Sequence, residues 1–224
     1  METLTPDMLL AAYANGYFPM ALDKDDPELY WFAPQERGVL PIEQFNIPRG
    51  LRRAMKKNPY TITVDKDFDA VIRACGTLTR HRKDTWINDE IIRLYTALHA
   101  MGHAHSVEAW QDGKLVGGLY GISLGGAFFG ESMFSRASEA SKITLVTLVA
   151  ILREAGYVLL DTQYVNEHLL QFGIEAVKKG RYMTRLKNAL AVVPNPSVSF
   201  VDAATRVLSR SAPFDIASLF SQPE

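Results

Sequence analysis

The stretch from His105 to Phe134 reads HSVEAWQDGKLVGGLYGISLGGAFFGESMF. Three apolar-rich runs, His105 to Trp110, Leu115 to Ser123 and Ala127 to Phe134, are punctuated by two turn signals. The first, Gln111-Asp112-Gly113-Lys114, carries the Asp-Gly pair that tolerates the positive backbone angles of a tight hairpin turn. The second is Gly125-Gly126. This pattern predicts three strands joined as antiparallel neighbours. One residue in the third run is out of place. Glu131 follows Ala127-Phe128-Phe129-Gly130 and precedes Met133-Phe134. Burying an ionised carboxylate without partners is costly, so Glu131 has a tight set of partners, a chemical task, or both.

Outward from this hairpin set, Ser138 to Glu154 reads as a long helix closed by Gly156. Tyr157 to Thr162 reads as a strand, and its end carries a second polar set, Asp161-Thr162-Gln163. Asn166 to Phe172 reads as a short helix stopped by Gly173, and Tyr182 to Ala191 as another helix. On the N-terminal side, Thr61 to Val64 predicts a strand. Phe68, Val71, Ile72 and Cys75 fall at helical spacing, as do Ile91, Leu94, Tyr95 and Leu98 behind an Asn88 cap. The order predicts an α+β fold: a mixed sheet flanked by helices, of the kind seen in GCN5-related acyltransferases. Before it, Pro6 to Asn15 reads as a helix with Thr5 as N-cap, and Pro19, Pro27, Pro34, Pro41 and Pro48 then recur through an aromatic-rich segment. Prolines at that density argue against long helices and central strands. Residues 1–62 are therefore expected to form a small N-terminal α/β domain and residues 63–224 the catalytic domain. The tail after Pro194 carries no readable pattern.

A net charge of -1 gives no global reason to expect a nucleic-acid partner. The local distribution does: Arg49, Arg52, Arg53, Lys56 and Lys57 run without an acid among them, and Arg80-His81-Arg82-Lys83 follows later. Such runs either contact phosphates or form a solvated helix face. Tyr30-Trp31-Phe32 and Thr85-Trp86-Ile87 flank them, which suits a stacked nucleotide or ordinary core packing. The single cysteine, Cys75, excludes an intrachain disulfide and points to the reducing cytoplasm. The first residues lack a signal-peptide pattern, and the apolar stretch from Ile143 to Leu152 is too short to span a bilayer, so no membrane partner is expected.

Glu131, Asp161 and Gln163 are the leading candidates for chemistry. Were their two strands neighbours, a carboxylate and an amide would converge, either to orient an amine and accept its proton or as a buried structural network. His99, His103 and His105 invite a metal, but Gly102 breaks the helix between them, and no metal is expected. Ser132 and Ser135 have no base at triad spacing, and the glycines precede no Walker lysine. Ser135-Arg136-Ala137-Ser138-Glu139, ahead of the long helix, lacks the glycines of a CoA-binding loop, which counts against CoA as a cofactor.

Several motifs in order carry a resemblance to the leucyl/phenylalanyl-tRNA–protein transferases. They are Leu9-Leu10-Ala11-Ala12-Tyr13, Gly16-Tyr17-Phe18-Pro19, Trp31-Phe32-Ala33-Pro34 and Thr85-Trp86-Ile87. They continue with Gly102 to Glu108, Leu115 to Gly121, Gly130 to Ser135, Ala140-Ser141-Lys142 and Asp161-Thr162-Gln163. The resemblance implies transfer of Leu or Phe from aminoacyl-tRNA to the α-amino group of proteins beginning with Arg or Lys, marking them for N-degron degradation, without cofactor or metal. It maps Gln163 to orienting the amine, Asp161 to polarising Gln163, Glu131 to supporting this relay, and Asn166 to holding the network. It maps Leu119, Phe128 and Met133 to the amino-acid pocket, Trp86 to stacking the terminal adenosine, and Arg49, Arg52, Arg53, Lys56 and Lys57 to the tRNA acceptor arm. Where some relatives carry a second stacking tryptophan, this chain has Met20. The competing readings are another acyltransferase of the same fold, using CoA or aminoacyl-tRNA, and a tRNA-binding module without activity.

Overall fold

In a computed structural model, residues 4–57, 59–79, 83–192, 199–210 and 220 are described. The chain opens with α1 (Pro6–Ala14), β1 (Phe18–Met20), β2 (Tyr30–Phe32), β3 (Glu36–Leu40) and α2 (Arg49–Lys56). β4 (Thr61–Val64), α3 (Phe68–Gly76) and α4 (Asp89–Ala100) follow, then the hairpin strands β5 (Ala104–Gln111), β6 (Lys114–Leu124) and β7 (Ala127–Ser135). The last part contains α5 (Ala140–Ala155), β8 (Leu159–Gln163), a 3-10 turn (Glu167–Phe172), β9 (Glu175–Lys178), α6 (Lys179–Ala191) and α7 (Phe200–Arg210).

Local chemistry accounts for the boundaries. The Thr5 side chain accepts from Met8 N at 3.3 Å and Asn88 accepts from Ile91 N at 2.9 Å, so both expected caps hold their helices. Asp112 and Gly113 adopt φ of 50° and 73°, as the β5–β6 turn requires. Gly156, at φ 79°, ends α5 in the left-handed conformation.

β1 and β2 form a separate antiparallel pair. The other seven strands form one mixed sheet in the order β4-β5-β6-β7-β8-β3-β9, antiparallel throughout except for β7 and β8. α5 is the crossover that a parallel pair requires. Helices cover both faces. On one, α2, α5 and α7 bury Leu51, Met55, Val146, Leu152 and Phe200 against Val107, Phe128 and Leu160. On the other, α1, α3, α4 and α6 bury Leu9, Tyr13, Val71, Tyr95 and Leu186 against Tyr120, Phe129 and Leu159. This is the expected α+β arrangement, a mixed sheet flanked by helices.

Two expectations need correction. The proline-rich segment does supply an interior strand, because β3 lies between Pro34 and Pro41 and contains no proline itself. β3 is held by β8 on one side and β9 on the other, so the chain enters the main sheet well before the expected boundary at residue 62. The basic residues Arg80, His81 and Arg82 lie outside the described residues.

The site is placed by where β7 and β8 part. Their pairing runs from Ala127 and Leu159 to Phe129 and Asp161 and then stops, although both strands continue. Two bulges follow at once. On β7, Gly130 pairs with Gly121 and Ser132 with Tyr120, leaving Glu131 as the extra residue. On β8, Asp161 pairs with Val39 and Gln163 with Gly38, leaving Thr162 extra. A bulge re-aims side chains and increases local twist. Here two of them act at the mouth of a splayed parallel pair.

Candidate active site

A cavity of about 350 Å³ lies at this splay. Its apolar lining comes from five elements and one turn: Leu40 of β3, Leu119 of β6, Met133 of β7, Leu145 and Leu148 of α5, Leu160 of β8, and Leu169. Glu131, Ser132, Thr162, Asn166 and His168 add polar groups, and Trp86 adds an indole. Of the pocket residues named from sequence, Leu119 and Met133 line this space and Phe128 does not. The Phe128 ring is fully buried and stacks on Phe200 at 5.7 Å, beneath the section where β7 and β8 are still paired. Trp86 and Asn166 are in the cavity wall.

Glu131 is held by two phenols that sequence reasoning did not single out. Tyr13 of α1 donates to Glu131 Oε1 at 2.7 Å and Tyr95 of α4 to Oε2 at 3.2 Å, while the two hydroxyls bond each other. Burial raises the Glu131 pKa to about 7, hydrogen bonds from Tyr13 and Tyr95 and the nearby Gln163 amide work against the rise, and the Asp161 charge adds to it. Burial, then the Glu131 charge, pushes both tyrosines well above their ordinary range, so they remain donors. Gln163 is an electrostatic neighbour of Glu131 rather than a bonded partner, because its buried Nε2 has no hydrogen bond of ordinary geometry. Gln163 also sits at φ 64°, a conformation few residues with side chains adopt.

Asp161 is fully buried. Arg37, 1% exposed, grips it from β3: Nε lies 3.1 and 3.0 Å from the two carboxylate oxygens and Nη2 lies 2.8 Å from Oδ2. Tyr182 of α6 donates to Oδ2 at 2.6 Å, and the backbone N–H of Gln163 donates to Oδ1 at 2.7 Å. Burial, with the Asp161 charge beside it, holds the Tyr182 phenol far above its usual range. The expected polarisation of the Gln163 side chain by Asp161 is thus not what these contacts show. Asp161 reaches Gln163 through the main chain. A buried arginine gives no local sequence signal: its partner is 124 residues away.

α2 buries Leu51 and Met55 and turns Arg49, Arg53, Lys56 and Lys57 to solvent. None of these four is in a salt bridge among the described residues. Arg52 is half-buried, with Nε bonded to the Ile47 carbonyl at 3.2 Å. α2 packs in the same core as α5, whose Leu145 and Leu148 wall the cavity. The three histidines do not share one partner, although His99 and His105 both flank the Asp65 carboxylate, at 3.9 and 2.7 Å. His99 Nδ1 meets the Ala104 carbonyl, His103 Nδ1 the Ser123 carbonyl and His105 Nδ1 the Asp65 carboxylate. Among the described residues no group of three or more His, Cys, Asp or Glu is placed to hold a metal, and no helix is long and apolar enough to cross a membrane.

Comparison with known proteins supplies the family. The model for "Leucyl/phenylalanyl-tRNA protein transferase" matches residues 39–187, and the model for the N-terminal domain of the same family matches residues 2–35. A leucyl/phenylalanyl-tRNA–protein transferase of Paramagnetospirillum magneticum is 56% identical over 85% of this chain and 91% of its own length. One from Hyphomonas neptunium is 54% identical over 84% and 72%, and one from Rhodopseudomonas palustris 54% identical over 84% and 83%. Among solved structures, L-PGS from Bacillus licheniformis matches at 15% identity with a TM-score of 0.40, over 73% of this chain and 55% of that one. The C-terminal domain of a putative lysylphosphatidylglycerol synthetase from Agrobacterium fabrum matches at 13% identity and a TM-score of 0.38, over 82% and 62%.

Proposed function

This chain belongs to the leucyl/phenylalanyl-tRNA–protein transferase family and is an aminoacyltransferase; from that premise we propose that it moves Leu or Phe from tRNA to proteins beginning with Arg or Lys, in the cytoplasm, and so marks them for N-degron degradation. The observation that carries the reading is the apolar cavity with a buried, proton-hungry carboxylate in its wall. A leucyl or phenylalanyl side chain occupies the space between Leu119, Met133, Leu145 and Leu148. The methionine adapts to either shape. The aminoacyl ester then lies beside Glu131.

The ester is already activated, so no covalent nucleophile on the enzyme is required. The enzyme places an amine against a carbonyl, takes a proton from it and stabilises the developing charge. The acceptor's α-amino nitrogen attacks the ester carbon, Glu131 accepts the proton, and the C–O bond to the tRNA ribose breaks. The proton goes to the departing ribose oxygen, which restores the Glu131 carboxylate. A carboxyl group whose pKa is near 7 suits both halves of that cycle. Gln163 orients the amine and Asn166 its surroundings. Trp86 stacks the terminal adenosine, with Met20 in place of a second indole. Arg49, Arg52, Arg53, Lys56 and Lys57 hold the acceptor arm.

The test is transfer of labelled Leu or Phe from charged tRNA to peptides starting with Arg, Lys or Asp. Arg and Lys peptides are expected to accept and the Asp peptide to stay unlabelled. Equal labelling of all three would remove the basic-acceptor reading. Absence of labelling at low salt would remove the whole proposal.

A further inference from the structure

Arg37 is a cation with almost no access to water, and such a group is tolerated only when its charge and donors are fully met. Each of its three nitrogens has a partner. Nε and Nη2 face Asp161, Nη1 donates to the Gly16 carbonyl at 3.1 Å, and the guanidinium carbon lies over the rings of Phe18 at 4.7 Å and Tyr182 at 4.6 Å. Two of these contacts lead to the reacting groups. Gly16 closes the turn after α1, and Tyr13, three residues earlier, is the hydroxyl that holds Glu131 Oε1. Asp161 holds the backbone N–H of Gln163, whose φ of 64° needs an outside constraint. Neither Asp161 nor Gln163 lines the cavity; Glu131 and Thr162 stand in its wall in front of them.

We propose that Arg37 is a positioning residue for aminoacyl transfer: by gripping Asp161 and the Gly16 carbonyl together, it sets the spacing between Glu131 and Gln163. The inference rests on the roles given above to those two side chains. Asp161 acts as the anion that fixes the Gln163 main chain, and Arg37 is what makes that anion tolerable in a dry site. The N-terminal segment, through Tyr13, Gly16, Phe18 and Arg37, is then part of the active site and not only a tRNA-binding appendage.

The experiment compares single-turnover transfer of Leu to an Arg-initial peptide with binding of charged tRNA, for wild type, Arg37→Met, Arg37→Lys and Arg37→Met/Asp161→Asn, at a temperature where thermal melts show each protein folded. Arg37→Met is expected to lose about a hundredfold in rate, as a small misplacement of reacting groups does, while tRNA affinity stays within about threefold because α2 and Trp86 are untouched. Arg37→Lys recovers part of the rate, since lysine restores the charge but not the fork. The double variant is no slower than Arg37→Met, because the pair acts as a unit. A rate within about threefold of wild type for Arg37→Met, tRNA affinity falling in step with rate, or losses that multiply in the double variant would each overturn the proposal. Should Arg37→Met not fold, Arg37→Lys decides: a wild-type rate rejects the idea, and a loss of about tenfold or more at unchanged affinity supports it. A wild-type enzyme inactive on the Arg-initial peptide counts against the proposed function. An active wild type with an equally active Arg37→Met counts against this inference alone.

Discussion

Glu131, Tyr13 and Tyr95 make three mutual contacts, yet the two phenols bring only two protons. All three contacts are satisfied as hydrogen bonds when Glu131 carries a proton itself, which agrees with a pKa raised to about 7 by burial. Two predictions follow from this carboxylate. As a base it must be deprotonated to act, so kcat/KM is expected to rise with pH through about 7. The α-amino group of the acceptor, which ordinarily titrates near about 8, adds a second limb. Glu131→Gln should remove the lower limb and depress transfer by about 10²–10⁴-fold, and a profile unchanged in shape would refute the assignment. The same group governs stability. Its folded pKa lies above the ordinary 4.5, so its stabilising contribution is complete below that value and is lost as pH rises through about 7. At pH 8 the fold therefore carries a penalty on the order of 3 kcal/mol relative to acid pH. Glu131→Gln should then resist denaturant better than wild type at pH 8 and lose that advantage at pH 4.5. Equilibrium unfolding at the two pH values checks the sign.

At the scale of elements, the two bulges do what no single residue could. Side chains on a strand alternate faces, so Phe128 and Met133 would point to opposite sides of a regular β7. The extra residue Glu131 shifts the phase, and both end in the α5-side core while Phe129 and Phe134 share the other. The β8 bulge has its own demand. A Cβ on Gly38 would come within 2.5 Å of the Tyr164 carbonyl and 2.7 Å of Thr162 Oγ1, so the bulge closes only over glycine. Gly38→Ala is expected to cost about 1–3 kcal/mol and to lower transfer beyond what the melting temperature explains, because Gln163 pairs with Gly38. An active, merely less stable variant would show that the bulge is not needed for chemistry. α2 makes a separable prediction. Arg53→Ala/Lys56→Ala should weaken tRNA binding and lessen its salt dependence by about one counterion per charge, with the saturated rate retained. Salt titrations of affinity test this. What was legible in the chain follows the same division. Asp112-Gly113, the Thr5 and Asn88 caps and the Gly156 stop are local signals, and the strands and helices they bound were readable from them. Glu131 was readable as a misfit in an apolar run. The β8 bulge, β3 between its prolines, and the Arg37 grip on Asp161 depend on partners far along the chain, and no window of sequence contains both halves. The cover on the Phe128 ring, Phe200 of α7, was out of reach of local reading for the same reason.

For the whole molecule, the sheet separates two cores with different duties. The face covered by α1, α3, α4 and α6 carries the phenols and the Arg37 clasp that hold Glu131 and Asp161. The other face carries the cavity wall on α5 and the basic surface of α2. A near-neutral chain thus presents cations on one helix and acids at Asp23, Asp25, Asp26 and Glu28, an asymmetry that under the proposed function would orient a polyanion during approach more than it adds affinity. α7 lies outside this division of labour. It docks on α5 through Phe200, Ala203, Ala204 and Val207, and Phe200 stacks on both His105 and Phe128 without lining the cavity. The α7 contacts are those of a stabilising cover, so Phe200→Ala should cost about 3–5 kcal/mol in chemical denaturation. The saturated transfer rate at 25 °C should stay near wild type, because Glu131, Gln163 and the leucine-lined wall keep their own supports. A loss of rate in the fully folded variant would mean that the packing of Phe128 against α7 reaches the site through α5, and that the cavity is shaped from behind as well as from the splay of its two strands.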